Sequence, residues 1–523
     1  MDNGTGHPPT IPALLAERVV TAPDATFVHF GGEALSYVEF DTRSDRVATA
    51  WLRMGIGHGD RIAIAAANSP DWIVTYLAAA KIGAILVTLN VAYREREFTH
   101  MLTQSGARVL LCDTESNGFE FAPFLGVLRP DIATVEQVIF LGEGNATGGR
   151  RWADLAATES DPALLANAAG TVRPDDPAVI LYTSGTTGTP KGATLTHAGL
   201  IASAVAQVDR FEQSAADVVL GVMPFNHVGG LTCTLGSTLV TGGAIALLPR
   251  FHPDLVAETM AGARVTMFVG VPTMYKMVFG SGSAAGVDMS SVRLCVVGGA
   301  NLESALAEQV AARFDGIRIA NLYGMSETSG ACVISSPGDS LEIVGRTIGT
   351  MTGDFEGRVV DDRNIPLGPG EPGELQVRGT CAAAGYWELP EETAATFLSD
   401  GWVATGDIAS ISADGHVTLL GRRKEMYVRG GYNVYPAEVE NVLVTDPAVA
   451  MCAVIGVPDE TFGETGYAFV VPAPGAVVDE DALLERCRGA LAKYKVPDHV
   501  EVVDSLPMTP AGKIRKVALA PRI

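Results

Sequence analysis

The sequence predicts an α/β protein of two domains. The first is large, built of helix-covered, mostly parallel sheets plus a small β-barrel-like part; the second is a smaller α+β domain. Three observations predict this. Apolar runs and amphipathic segments alternate through residues 61–112 and again through 265–321, the rhythm of parallel strands joined by crossing helices. Residues 341–420 switch to short β-rich runs between Gly, Pro and Asp turns. A compact mixture of helix and strand patterns then follows a charged stretch at Arg422-Arg423-Lys424-Glu425. The 523 residues exceed the ~100–200 of one typical domain, and the boundary is placed between 1–423 and 424–523.

Taken in order, residues 61–67 read as a strand ended by the breaker Asn68-Ser69-Pro70. Residues 71–81 carry helical apolar spacing, 85–90 a second strand, 94–104 a polar-faced helix and 108–112 a third strand. The pattern returns as strands at 265–269, 291–297 and 317–321 with a helix at 302–313. The β-rich runs lie at 357–360, 373–377 and 416–420 and suit an antiparallel sheet or small barrel. In the last domain Pro436 opens a helix over 436–444 at the position where its missing N–H costs nothing. Strands at 449–457, 467–471 and 499–503 and a helix at 480–491 complete it. The uncharged stretch 228–249 holds five Gly and five Ser or Thr residues and reads as buried core, so no transmembrane segment is expected.

Net charge is −23, from 37 Lys+Arg against 60 Asp+Glu. Without a basic cluster, that balance argues against a nucleic-acid partner or an anionic membrane surface. The seven Cys residues are dispersed, odd in number and never arranged as CxxC. They read as free thiols of a reducing compartment, hence a cytoplasmic setting, and residues 1–12 lack a signal-peptide layout. Oligomeric state stays open between monomer and homodimer.

Five segments carry chemistry. Tyr182-Thr183-Ser184-Gly185-Thr186-Thr187-Gly188-Thr189-Pro190-Lys191-Gly192 follows an apolar strand. Its backbone N–H groups, hydroxyls and one ammonium can wrap a polyphosphate. It is not a Walker A loop, because Pro190 stands where Gly is required, and the bland alternative is a surface linker. Asn321-Leu322-Tyr323-Gly324-Met325-Ser326-Glu327-Thr328 offers an aromatic face, hydroxyls and a carboxylate able to hold Mg²⁺; an ordinary turn is the alternative. Trp402-Val403-Ala404-Thr405-Gly406-Asp407 places an Asp beyond a tight turn, suited to ribose hydroxyls or simply to the turn itself. The fourth is the charged run from Gly421 followed by Gly430-Gly431-Tyr432-Asn433-Val434-Tyr435-Pro436-Ala437-Glu438-Val439-Glu440. The fifth is Pro507-Met508-Thr509-Pro510-Ala511-Gly512-Lys513.

In this order and spacing the segments resemble the core motifs of the adenylate-forming superfamily. That superfamily comprises acyl-CoA synthetases, firefly luciferases and peptide-synthetase adenylation domains. The resemblance runs from about Leu14 to Lys516 and is nearest to bacterial fatty-acid or aryl-acid CoA ligases, with Met223-Pro224-Phe225-Asn226-His227 as a further matching segment. It implies an ATP-dependent, AMP-forming ligase. An acid and ATP with Mg²⁺ give an acyl-adenylate and pyrophosphate, and the thiol of CoA then displaces AMP.

By position the resemblance implies that Thr183 to Lys191 grip the β- and γ-phosphates. Ser326 would meet the α-phosphate and Glu327 the Mg²⁺. Tyr323 would stack on adenine with Gly298, Gly299 and Ala300 opposite, and Asn321 and Gly324 would join the nucleotide site. Asp407 and Arg422 would hold the ribose. Lys513 would bridge the acid carboxylate and the α-phosphate. Lys424 would be the hinge of a mobile C-terminal domain, and Gly430 and Gly431 would face the pantetheine arm of CoA. His227 would close an acid pocket drawn from Val228, Gly230, Val271, Gly324, Met325 and Gly330. The small and apolar character of those residues fits a fatty, aryl or alicyclic acid, and no Asp lies between Met223 and Thr238 to bind an α-amino group. Asn226, Ala404 and Tyr427 depart from the common pattern and bear on substrate size. Two alternatives remain: an enzyme loading a carrier-protein phosphopantetheine, and a catalytically silent acyl-adenylate-binding protein.

Overall fold

The breaker at Asn68-Ser69-Pro70 is a helix start. Ser69 Oγ accepts the Trp72 N–H at 3.2 Å, and Pro70 is the first residue of the helix Pro70–Lys81. Ser36 and Glu39 form a reciprocal capping box at the head of Tyr37–Arg53, and Gly106, at φ 63°, ends Glu95–Ser105. Local side-chain chemistry thus fixes where the chain leaves and re-enters the sheets. The computed structural model describes residues 6–142, 147–183, 189–280, 282, 284–299, 302, 304–314, 316–508 and 514–521.

One seven-stranded sheet orders Lys191–Thr196, Pro177–Thr183, Ile85–Thr88, Arg61–Ala65, Val109–Asp113, Gln137–Leu141 and Arg150–Arg151. It is parallel except for the hairpin of its first two strands. A nine-stranded sheet has a parallel centre of Arg318–Met325, Leu294–Gly298, Met267–Gly270, Val218–Gly221, Ala244–Leu247 and Thr26–Phe30. Antiparallel strands flank it on both sides. Central strands such as Ile85–Thr88 and Met267–Gly270 are buried along their whole length, which is why they read as unbroken apolar runs and not as alternating ones.

The uncharged stretch at 228–249 is interior. It forms a short turn of helix, a π-helical segment Leu231–Gly236, the helix Ser237–Thr241 and the strand Ala244–Leu247. Among the described residues, no helix is long and apolar enough to cross a membrane. The part expected to be β-barrel-like is a four-stranded antiparallel sheet of Glu356–Val360, Gly373–Arg378, Val403–Ile411 and Val417–Arg422. It shares a core with Cys332 and Val333.

After Arg422 comes an α+β unit: a five-stranded sheet in which His499–Val502 runs parallel to Gly463–Pro472, covered by Pro436–Leu443 and Glu480–Ala490. Lys516 ties its tail to its start. The ammonium lies 2.7 Å from both Glu425 and Glu440.

Candidate active site

The described ends of the hydroxyl-rich segment lie on the antiparallel strands Pro177–Thr183 and Lys191–Thr196. Thr183 pairs with Lys191, while Ser184, Gly185, Thr186, Thr187 and Gly188 lie outside the described residues. The return strand, Lys191–Thr196, was not read from the sequence, because it is short and holds one large apolar residue, Leu195. A segment from further along the chain stitches it down. Trp387 N–H donates to Gly192 O, Thr194 N–H to Gly385 O and Ala384 N–H to Thr194 O, at 2.8–2.9 Å.

Arg318–Met325 brings the second motif to the C-terminal end of the parallel sheet, where open α/β sheets bind ligands. Asn321 is buried; its amide donates to Thr347 O at 3.2 Å. The Tyr323 phenol donates to Asp407 Oδ2 at 2.5 Å. Burial, and then the Asp407 charge, push that phenol far up, so it remains a donor. A side chain at Gly324 would come within 2.1 Å of Gly330 O, so only glycine permits this approach of the two strands. Ser326 and Glu327 lie in the turn Ser326–Thr328. Glu327 Oε1 accepts the Tyr386 hydroxyl at 2.6 Å, and its carbonyl accepts the Ala383 N–H at 2.9 Å.

Asp407 departs from the expected place beyond a tight turn: it sits within the strand Val403–Ile411, just after Gly406 at φ 70°. It is 2% exposed, pairs across the sheet with Arg422 and accepts Arg422 Nε at 2.8 Å. Lys424 stands near this group. Burial, and then the Lys191 and Arg422 charges, lower its pKa below the usual lysine value.

Beside these groups opens an apolar cavity of about 660 Å³, its mouth included. His227, Val228, Val271, Gly324 and Gly330 line it, together with Gly298 and Gly299. Ala300 lies outside the described residues. Cys233, Val269 and Val296 also line it and were not anticipated, since nothing local distinguishes them from other core residues. Gly230 and Met325 are not among the residues that line it. A side chain at Gly230 would lie 2.3 Å from Pro224 O, so this glycine serves a close backbone turn, and Met325 N–H is spent on Thr328 Oγ1 at 3.1 Å. His227 Nδ1 accepts the Gly229 N–H at 3.1 Å, which orients the ring at the cavity wall. Asn68, read from sequence only as a breaker, pins this wall. Its amide donates to Met223 O at 2.9 Å and its carbonyl accepts from Phe225 N at 3.0 Å.

Gly430 and Gly431 form the turn between Tyr427–Arg429 and Tyr432–Val434, with φ of 57° and 85°. Lys513 lies outside the described residues. Tyr386 was missed; its signal was the aromatic pair Tyr386-Trp387 after Gly385, shortly before the helix Pro390–Thr396. Among the described residues no group of three or more His, Cys, Asp or Glu could hold a resident metal ion.

Residues 15–387 match the model of the AMP-binding enzyme family, and 438–513 match the AMP-binding enzyme C-terminal domain. A feruloyl-CoA synthase of an Amycolatopsis species is 36% identical over 499 residues, covering 95% of this chain and 96% of the relative. A methyl-dioxo-octahydroindenyl-propanoyl:CoA ligase of Mycobacterium tuberculosis is 34% identical over 512 residues, with 98% of each chain covered. The crystal structure of the anthranilate CoA ligase AuaEII in complex with anthranoyl-AMP superposes with a TM-score of 0.89 at 26% identity, covering 99% of this chain and 98% of that one.

Proposed function

The chain belongs to the AMP-binding enzyme family, and on that premise we propose that it is an ATP-dependent, AMP-forming acid–CoA ligase for an aryl, alicyclic or medium-to-long-chain fatty acid. One observation carries the reading: Gly299 and Gly324, which the family motifs assign to the nucleotide, line the same apolar cavity as His227 and Val271. An acid whose body fills the cavity therefore presents its carboxylate where the α-phosphate would lie. The relatives named for feruloyl and indenyl-propanoyl groups support a ring-bearing acid.

A carboxylate attacking an anionic α-phosphate needs orientation and compensating positive charge. Asp407 and Arg422 hold the ribose and Tyr323 stacks on the adenine. Residues 183–191 and the Lys191 ammonium take the β- and γ-phosphates, and Ser326 donates to the α-phosphate. Mg²⁺ arrives with ATP as part of the substrate. A lone carboxylate, Glu327, suits it, because Mg²⁺ keeps several waters and takes its remaining ligands from phosphates. Lys513 neutralises the charge that develops between the two reacting groups. The C-terminal domain, 424–523, then turns about Lys424, withdrawing Lys513 and presenting Gly430 and Gly431 to pantetheine, so that the thiol attacks the acyl-adenylate and AMP leaves. His227 closes the pocket mouth. A cytoplasmic setting is supported by the seven buried, dispersed cysteine thiols.

The test is acid-dependent ATP–pyrophosphate exchange over a panel of aryl, alicyclic and fatty acids, followed by addition of CoA. Exchange with one acid class, then an acyl-CoA and AMP, is the expected result. Exchange without a CoA thioester would transfer the reading to a carrier-protein acceptor, and no exchange with any acid would overturn it.

A further inference from the structure

Residues 383–387 cross the site between its two phosphate-facing parts. Ala383 N–H holds the carbonyl of Glu327, and the next four residues pair with the hairpin strand that begins at Lys191. Tyr386 sits at the junction. Its hydroxyl donates to Glu327 Oε1 at 2.6 Å, and its ring lies 5.2 Å from the Lys191 ammonium. The ring is itself fixed. Tyr386 N–H donates to Thr393 Oγ1 at 2.9 Å, Phe397 packs edge-on at 5.6 Å, and Gly385, at φ 130°, turns the chain where a side chain would strike Thr393 at 2.7 Å. One rigid side chain therefore touches both a carboxylate and a phosphate-side cation.

We propose that Tyr386 is a positioning residue for magnesium-bound ATP, its hydroxyl fixing the Glu327 carboxylate as a metal ligand while its ring seats Lys191. This rests on the reading of Glu327 as the Mg²⁺ ligand. A carboxylate accepts at two oxygens, so the phenol orients one and leaves the other for the metal. Carboxylates that bind metals are generally held this way, and loss of the outer partner costs about 10–100-fold in metal affinity. The ring acts separately, by the attraction of a cation to an aromatic face.

The experiment is a calorimetric titration of the full chain with ATP, without acid, at a series of Mg²⁺ concentrations. Mn²⁺ is substituted in parallel, and its bound fraction is read by electron paramagnetic resonance. Tyr386→Phe keeps the ring and removes the hydroxyl. It is expected to leave metal-free ATP affinity within about twofold and to raise the Mg²⁺ and Mn²⁺ requirement by about tenfold. Tyr386→Leu is expected to weaken metal-free ATP binding as well. A Tyr386→Phe protein whose metal titration overlays the wild type would overturn the proposal. So would one weakened equally with and without metal, which marks a merely structural role. Glu327→Gln separates the two readings. If it also overlays the wild type, the Glu327 assignment fails and the Tyr386 proposal falls with it; if it loses the metal response while Tyr386→Phe keeps it, only the Tyr386 proposal falls.

Discussion

Replacing Asp407 by Asn tests the ribose site with little change of shape. The carboxylate is 2% exposed and accepts from Tyr323 at 2.5 Å and Arg422 at 2.8 Å. Asn keeps one acceptor oxygen for the Tyr323 phenol, and Arg422, half exposed, can recover hydration, so the fold is expected to persist. The ribose loses a charge-assisted acceptor and meets an amide N–H₂ in its place. Hydrogen bonds to charged groups contribute about 1.5–3 kcal/mol, so a loss of about 2–3 kcal/mol converts to ATP binding roughly 30- to 160-fold weaker. The assay is calorimetric ATP binding without acid, with near-ultraviolet circular dichroism to confirm the fold. A folded Asp407→Asn protein that binds ATP within twofold of wild type would refute the assignment of Asp407 to the nucleotide.

Three further outcomes are expected. Lys513→Ala should lower pyrophosphate exchange by about 10²–10³ while still converting a supplied acyl-adenylate to acyl-CoA; equal loss of both steps would contradict a role confined to adenylation. His416 is held above its ordinary pKa of 6.5 first by Asp339 and then by Asp414. Its stabilisation is therefore complete below that value and lost as pH rises through the raised one. His416→Gln should accordingly lower the urea midpoint at pH 5.5–6 and approach wild type at pH 9. Burial pushes the Asp113 carboxyl from 3.8 to about 6. The folded state is then penalised progressively between those values and by up to about 3 kcal/mol above them. Asp113→Asn, which can still accept the Ala67 N–H, should stabilise the protein at pH 7–8 and have no effect at pH 4; a destabilised variant at pH 7 would show that the charge is compensated.

Most strands and helices were legible because their signals are local. Period-2 and period-3.6 patterns, the Ser69-Pro70 start and the Pro436 start depend on neighbours a few residues away. The strand around Asp407 was read as a turn because Thr405-Gly406-Asp407 has turn chemistry. The sheet takes it up nonetheless, absorbing Gly406 as a local irregularity within the ladder.

The family motifs, their order and the residue types offered to nucleotide and acid are legible along the chain. Which of them meet depends on how distant segments pack. Tyr323 and Asp407 are 84 residues apart, Glu327 and Tyr386 59, and Asn68 and Met223 155. The cavity wall joins Cys233 on a π-helical turn to Val269 and Val296 on adjacent parallel strands. Such pairings follow from strand order and from the crossings that bring distant segments to one sheet edge. A periodic pattern records which face of an element is buried, but not which element lies against that face.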